Sequence, residues 1–149
     1  MTWAQAKAKL VTALSSAAIT SPIAQTIAKV YGEPPASIEP GNLPCLILGA
    51  SSMDDEWDSG LAREMYELEC FLLLRNEDAA VAVQLVEAYR DAVRDKLRLN
   101  VTLGGTAQVV NGARFGRLTS IGYANEAYPG FTFTLPIVLS GPVTFGGGS

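Results

Sequence analysis

Apolar and polar positions follow two rhythms along this chain, one helical and one alternating. Between residues 78 and 98, Ala82, Leu85, Val86, Tyr89, Val93 and Leu97 recur at the three- and four-residue spacing of an amphipathic helix. Its polar side carries Glu87–Arg90, Asp91–Arg94 and Asp95–Arg98, each pair three residues apart. Such pairs contribute only about 0.2–0.5 kcal/mol each, which marks a solvated face. Residues 2–19 predict an earlier helix, with Thr2 as its cap and Trp3, Leu10, Leu14 and Ala18 near one side. Ser21-Pro22 then reads as a capping hydroxyl before a proline at a first helical position. It predicts a second helix bearing Ile23, Ile27 and Val30 and stopping at Gly32.

The alternating rhythm predicts strands. Residues 63–74 place Tyr66, Leu68, Cys70, Leu72 and Leu74 on one face and Arg63, Glu67 and Glu69 on the other. Phe131, Phe133, Leu135, Ile137 and Leu139 give the strongest strand signal in the chain. Pro136 lies within that run and cannot donate to a ladder, so the strand is expected to be partly at an edge or bulged there. Cys45 to Leu48 is a short apolar run suited to a strand buried on both faces. The stretch SSMDDEWDSG after it reads as a polar, acidic loop. Beyond the long helix, residues 106–110, an Asn111-Gly112 turn signal and a run ending in Ile121 and Tyr123 suggest further strands.

Assembled in order, these elements predict one domain over residues 1–149 of the α/β class, an α+β sandwich. Its sheet would be small, mixed or antiparallel, with four to five strands and helices packed mainly on one face. Residues 33–44, with four prolines in twelve positions, read as a stiff connector, and 146–149 as a flexible tail.

Composition sharpens this outline. Hydrophobic residues make up 48% of the chain and charged residues 17%, with a mean hydropathy of +0.20. So few charges cover a small surface poorly, which suggests that part of it is buried in interfaces. A net charge of −4 weighs against a broad phosphate-neutralising surface for nucleic acid. It remains compatible with DNA moving past an acidic wall without sticking. Histidine is absent, which removes the commonest general base and metal ligand. Cys45 and Cys70 sit inside apolar runs and read as buried thiols rather than a disulfide. No apolar stretch approaches the roughly 20 residues of a membrane-spanning helix. The N-terminus has no secretory pattern, because Lys7 and Lys9 are interleaved with alanine, so a soluble, cytoplasmically made protein is expected.

Three stretches could carry chemistry. Gly104-Gly105-Thr106 invites comparison with a phosphate cradle, but a phosphate loop needs a following lysine and the order strand, glycines, helix. Here the order is reversed and no lysine follows, so the glycines read as a hinge between helix and sheet. The acidic run Asp54, Asp55, Glu56 and Asp58 lacks the alternating ligands, central glycine and closing glutamate of a calcium loop. Trp57 in its midst is unusual for a solvent loop and suggests an anchor on a partner surface. Glu67 and Glu69 share a strand face with Arg63, and nothing convergent accompanies them. The sequence therefore predicts no enzyme, no cofactor and no metal.

The segments VYGEPPASIEPGNLPCLIL (30–48), QLVEAYRDAVRDKL (84–97), LGGTAQVV (103–110) and IGYANEAYPGFTFTLPIVL (121–139) together resemble the tail terminator and neck proteins of long-tailed phages. The resemblance runs in order over about two thirds of the chain. It implies an α/β sandwich and a ring of identical subunits, commonly a hexamer, at the head-proximal end of the tail tube. The implied role is to stop tube polymerisation and join the tail to the head connector, within the virion and away from membranes. The implied partners are the chain itself, the tube protein and the connector protein, with DNA crossing the lumen without specific binding. Asp54, Asp55, Glu56, Trp57, Asp58, Arg63, Glu67 and Glu69 then become candidates for the lumen or a ring interface. A neck or head-completion protein between portal and tail is the near alternative, since the N-terminal Ala-rich region is long for a simple terminator. A small-molecule-binding α/β domain is the alternative of another class.

Overall fold

The computed structural model describes residues 2–104, 107–109 and 112–142. Helix α1 (Trp3–Leu14) begins where Thr2 accepts the Gln5 amide at 3.2 Å, while the Gln5 side chain accepts the Thr2 amide at 2.9 Å. This reciprocal cap satisfies two donors that a helix start otherwise leaves open. The helix ends earlier than expected. Ala18–Ile19 (β1) pairs antiparallel with Gln25–Thr26 (β2), and Lys29–Tyr31 forms β3. The second helix expected over residues 23–32 therefore does not form. Its β-branched residues hold a helix weakly, and β3 instead satisfies its backbone by parallel pairing with residues 45–47.

A single 3-10 turn (Pro40–Asn42) leads into two long antiparallel strands, β4 (Cys45–Asp58) and β5 (Leu61–Leu73). Helix α2 (Ala79–Leu99) follows, capped by Asp78, which accepts the Val81 amide at 3.0 Å. Its buried residues are Ala82, Leu85, Val86, Tyr89, Val93 and Leu97, the stripe predicted from spacing. Strands β6 (Thr102–Gly104), β7 (Ala107–Val109), β8 (Arg114–Phe115) and β9 (Thr119–Tyr123) precede β10 (Glu126–Pro142). The helix stops at Leu99 with the Asn100 side chain on the Lys96 carbonyl, before the glycine pair is reached. The hinge assigned to Gly105 and Thr106, and the Asn111 half of the turn signal, lie outside the described residues.

The sheet has eight strands in the order β3-β4-β5-β10-β7-β6, with β8 and β9 also on β10. It is curled and mixed, strands are the dominant element of the described residues, and those residues contain two α-helices. This overturns the expected α+β sandwich with a sheet of four to five strands and helices mainly on one face. The physical reason is the length of β4, β5 and β10: β4 and β10 each pair with β5 far beyond the apolar runs that reveal them. Pro136 sits within β10 opposite Glu67 of β5, and residues 110 and 111 between β7 and β8 lie outside the described residues.

The main core joins Leu10 and Leu14 of α1 and the α2 stripe to Leu46, Leu48, Leu68, Cys70, Leu72, Phe131, Phe133 and Leu135. Tyr89 is fully buried there, and its hydroxyl donates to Gln25 at 2.7 Å. A smaller cluster lies on the other face of the sheet, where the 33–44 segment lays Ile38 and Leu43 over Cys45, Ile47, Leu73 and Tyr128. The Tyr123 hydroxyl donates to the Pro35 carbonyl and ties that segment down. Cys45 and Cys70 are buried free thiols on opposite faces. No helix of the described residues is long and apolar enough to cross a membrane.

Candidate assembly surface

The acidic stretch read as a loop is a strand. Residues 51–58 form the outer half of β4, pair with residues 61–68 of β5, and are exposed throughout. At about 3.4 Å per residue this half extends roughly 27 Å. On its other side β5 keeps β10 as partner out to Pro142, which makes a three-stranded blade. Strand β3 covers only residues 45–47 of the outer side of β4, and among the described residues no strand covers the rest.

The blade closes in a two-residue turn, with φ of 50° at Ser59 and 83° at Gly60. Two successive positive φ angles match the right-handed twist of a hairpin, and glycine adopts that conformation without steric cost. Ser59 also donates to the Asp58 carboxylate at 3.1 Å.

Cross-strand register sorts the charges by face. Directly opposed residues share a side, so Met53, Asp55 and Trp57 lie with Tyr66, Glu64 and Ala62 on the face that continues into the main core. The opposite face carries Asp54, Glu56 and Asp58 of β4 with Arg63, Glu67 and Glu69 of β5. Arg63, Glu67 and Glu69 thus share a face, as the alternation predicts. Residues 51–69 hold seven carboxylates and one arginine, a balance of −6 against −4 for the whole chain. Arg63 approaches Glu56 at 4.0 Å with both side chains solvated, so that pair offsets little of the repulsion.

The two faces differ in chemistry. On the core-side face the Trp57 indole N–H donates to Asp55 at 2.8 Å, and the Tyr66 hydroxyl donates to Glu64 at 3.1 Å. Desolvation, the hydrogen bond to Glu64 and the charges of Glu64 and Asp55 together raise the Tyr66 hydroxyl above its ordinary value. Trp57 is nevertheless 67% exposed, as are Leu61 at 66% and Met53 at 50%; Trp57 and Leu61 flank the blade's outer end, and Met53 sits opposite Tyr66. The opposite face offers acids in a row with no aromatic among them.

The eight residues selected from sequence all lie on this blade, six on one face and Asp55 and Trp57 on the other. Sequence reasoning missed Glu64, Met53 and Leu61 because a ribbon solvated on both faces has no burial periodicity to read. The Ser59-Gly60 dipeptide was the available sign of a hairpin. Consecutive carboxylates in a strand point alternately to opposite sides, so Asp54, Asp55 and Glu56 cannot converge on one ion. Among the described residues no three His, Cys, Asp or Glu side chains are placed to hold a metal. No protein-family model matches this chain, and no curated protein matches it.

Proposed function

We propose that this chain is a structural virion protein that closes into a ring at the head-proximal end of a phage tail tube, caps the tube and receives the head connector. The observation that carries this reading is the blade, in which β4 is exposed on both faces over residues 51–58 while β5 and β10 run on beside it. A long open strand edge invites unwanted pairing unless it is charged or covered. Asp54, Asp55, Glu56 and Asp58 charge this edge. Trp57, Leu61 and Met53 gain burial only when something covers them. A ring of such subunits supplies that cover. The carboxylate face of each blade then lines the lumen, where like charge lets DNA pass without adhering.

Imaging particles made without this protein tests the reading. Overlong tails are the expected result. Normal-length tails separate from filled heads would assign the neck position instead, and unaltered particles would exclude both. A particle structure with Asp54, Glu56, Glu67 and Glu69 on the outer rim would remove the lumen assignment.

A further inference from the structure

The charge that the blade concentrates has a counterpart elsewhere in the chain. Residues 79–118 carry five arginines and one lysine against three acids, a balance of +3 that opposes the −6 of residues 51–69. Arg94 and Arg98 of α2 rim a groove whose apolar lining comes from Leu97, Val101, Val109 and Phe115. Arg94 already meets Asp91 at 3.0 Å and Asp95 at 3.1 Å, whereas Arg98 forms no ion pair among the described residues. Of the large apolar side chains left exposed, Trp57 stands at the blade's end and Met53 lies farther in on the same face, while Val101 lines this groove. The groove takes Val109 from β7 and Phe115 from β8, both of which pair with β10 on the side away from β5 and β4.

We infer that the core-side face of the blade of one copy seats in this groove of the next copy, with Trp57 between Arg94 and Arg98 and with Asp55 and Glu64 facing their guanidinium groups. This rests on the ring reading above and names its subunit contact. An aromatic side chain on an apolar floor beneath arginines combines area burial with cation–π attraction. Carboxylates held beside it add charge-assisted hydrogen bonds to the arginines. The two surfaces are different patches of one chain, so the contact is heterologous. A heterologous contact closes into a ring when its rotation divides a full turn, with no symmetric dimer as an intermediate, and the ring reading requires that closure. The opposite face, with Asp54 and Glu56, stays free for the lumen.

Sedimentation velocity of the full chain, run with charge-reversed variants checked for folding by circular dichroism, tests this contact. Wild type is expected to form rings that weaken with salt. Asp55→Lys with Glu64→Lys, and separately Arg94→Glu with Arg98→Glu, should each give folded monomers. Mixing these two variants should restore rings, because each blade then finds a groove of opposite sign. Asp54→Lys with Glu56→Lys alters only the far face and should leave rings intact. Rings that survive the core-side reversals, or a mixture that fails to assemble, would overturn this contact and leave the ring reading standing. A wild-type chain that stays monomeric at every concentration would overturn the contact as well. The ring reading on the tail is then decided separately by the particle lacking this protein.

Discussion

The indole of Trp3 lies flat on the ring of Tyr66, with centroids 4.1 Å apart and planes 3° from parallel. The first residue of α1 is thereby bound to the central strand of the blade, just above the point where the buried part of the sheet begins at Leu68. This stack braces the blade's foot against the helix. Trp3→Ala should therefore lower stability by about 1–3 kcal/mol, from lost stacking and area burial. Trp3→Phe should recover most of that loss in a urea titration. Equal losses for both would show that the stack contributes little.

At Gly130 of β10 an added Cβ would strike the Leu72 carbonyl oxygen of β5. Backbone cannot yield as a side chain can, so Gly130→Ala is expected to cost about 3 kcal/mol or more. Gly122→Ala on neighbouring β9, where a Cβ meets nothing within 4 Å, should change stability by no more than about 0.5 kcal/mol. Thermal melts of the two variants make the comparison directly.

At the blade's turn Ser59 holds φ of 50°, a region that serine enters at a cost and asparagine enters more readily. Ser59→Asn is expected to stabilise the hairpin by about 0.5–1 kcal/mol, and Gly60→Val to destabilise it by about 1–2 kcal/mol. Hydrogen exchange of residues 54–66 should slow in the first variant and quicken in the second.

Burial pushes the Tyr89 hydroxyl up to about 12 from 10.0 and the Cys45 thiol up to about 11 from 9.0, and raises Cys70 further. Each folded pKa lies above its unfolded value, so the native state holds these protons more tightly. Their contribution is complete below about pH 9 and is lost as pH climbs through 9–12. Stability should fall over that interval by an amount on the order of a few kcal/mol. Tyr89→Phe should flatten the 10–12 portion, after an initial cost of about 1 kcal/mol for the lost Gln25 hydrogen bond. In the native state at pH 8 both thiols should resist a thiol-reactive dye until the chain is unfolded.

The sequence was legible wherever burial imposed a period. The α2 stripe from Ala82 to Leu97, the Thr2 cap, and the alternation from Tyr66 to Leu72 and from Phe131 to Leu139 all appear where spacing put them. Residues 23–32 misled because Ile23, Ile27 and Val30 fit a helical stripe, while β3 found a parallel partner in Cys45–Ile47 that no local signal announces. Of the three ion pairs drawn along α2, only Asp91–Arg94 forms, because Arg90 reaches the Gly116 carbonyl at 3.1 Å instead. Helix spacing sets which side chains are neighbours, and tertiary partners then compete for them.

By itself the sequence determined the absence of histidine, the paired glycines that no lysine follows, and the concentration of carboxylates around Trp57. These are matters of composition and order, which folding does not alter. Only the tertiary structure decided that this acidic stretch is a strand, that β10 runs beside β5 to its end, and that Asp55 and Trp57 face away from Asp54, Glu56 and Asp58. The reason is physical. Strand pairing between distant segments is held by backbone hydrogen bonds, and those are identical for every residue type but proline.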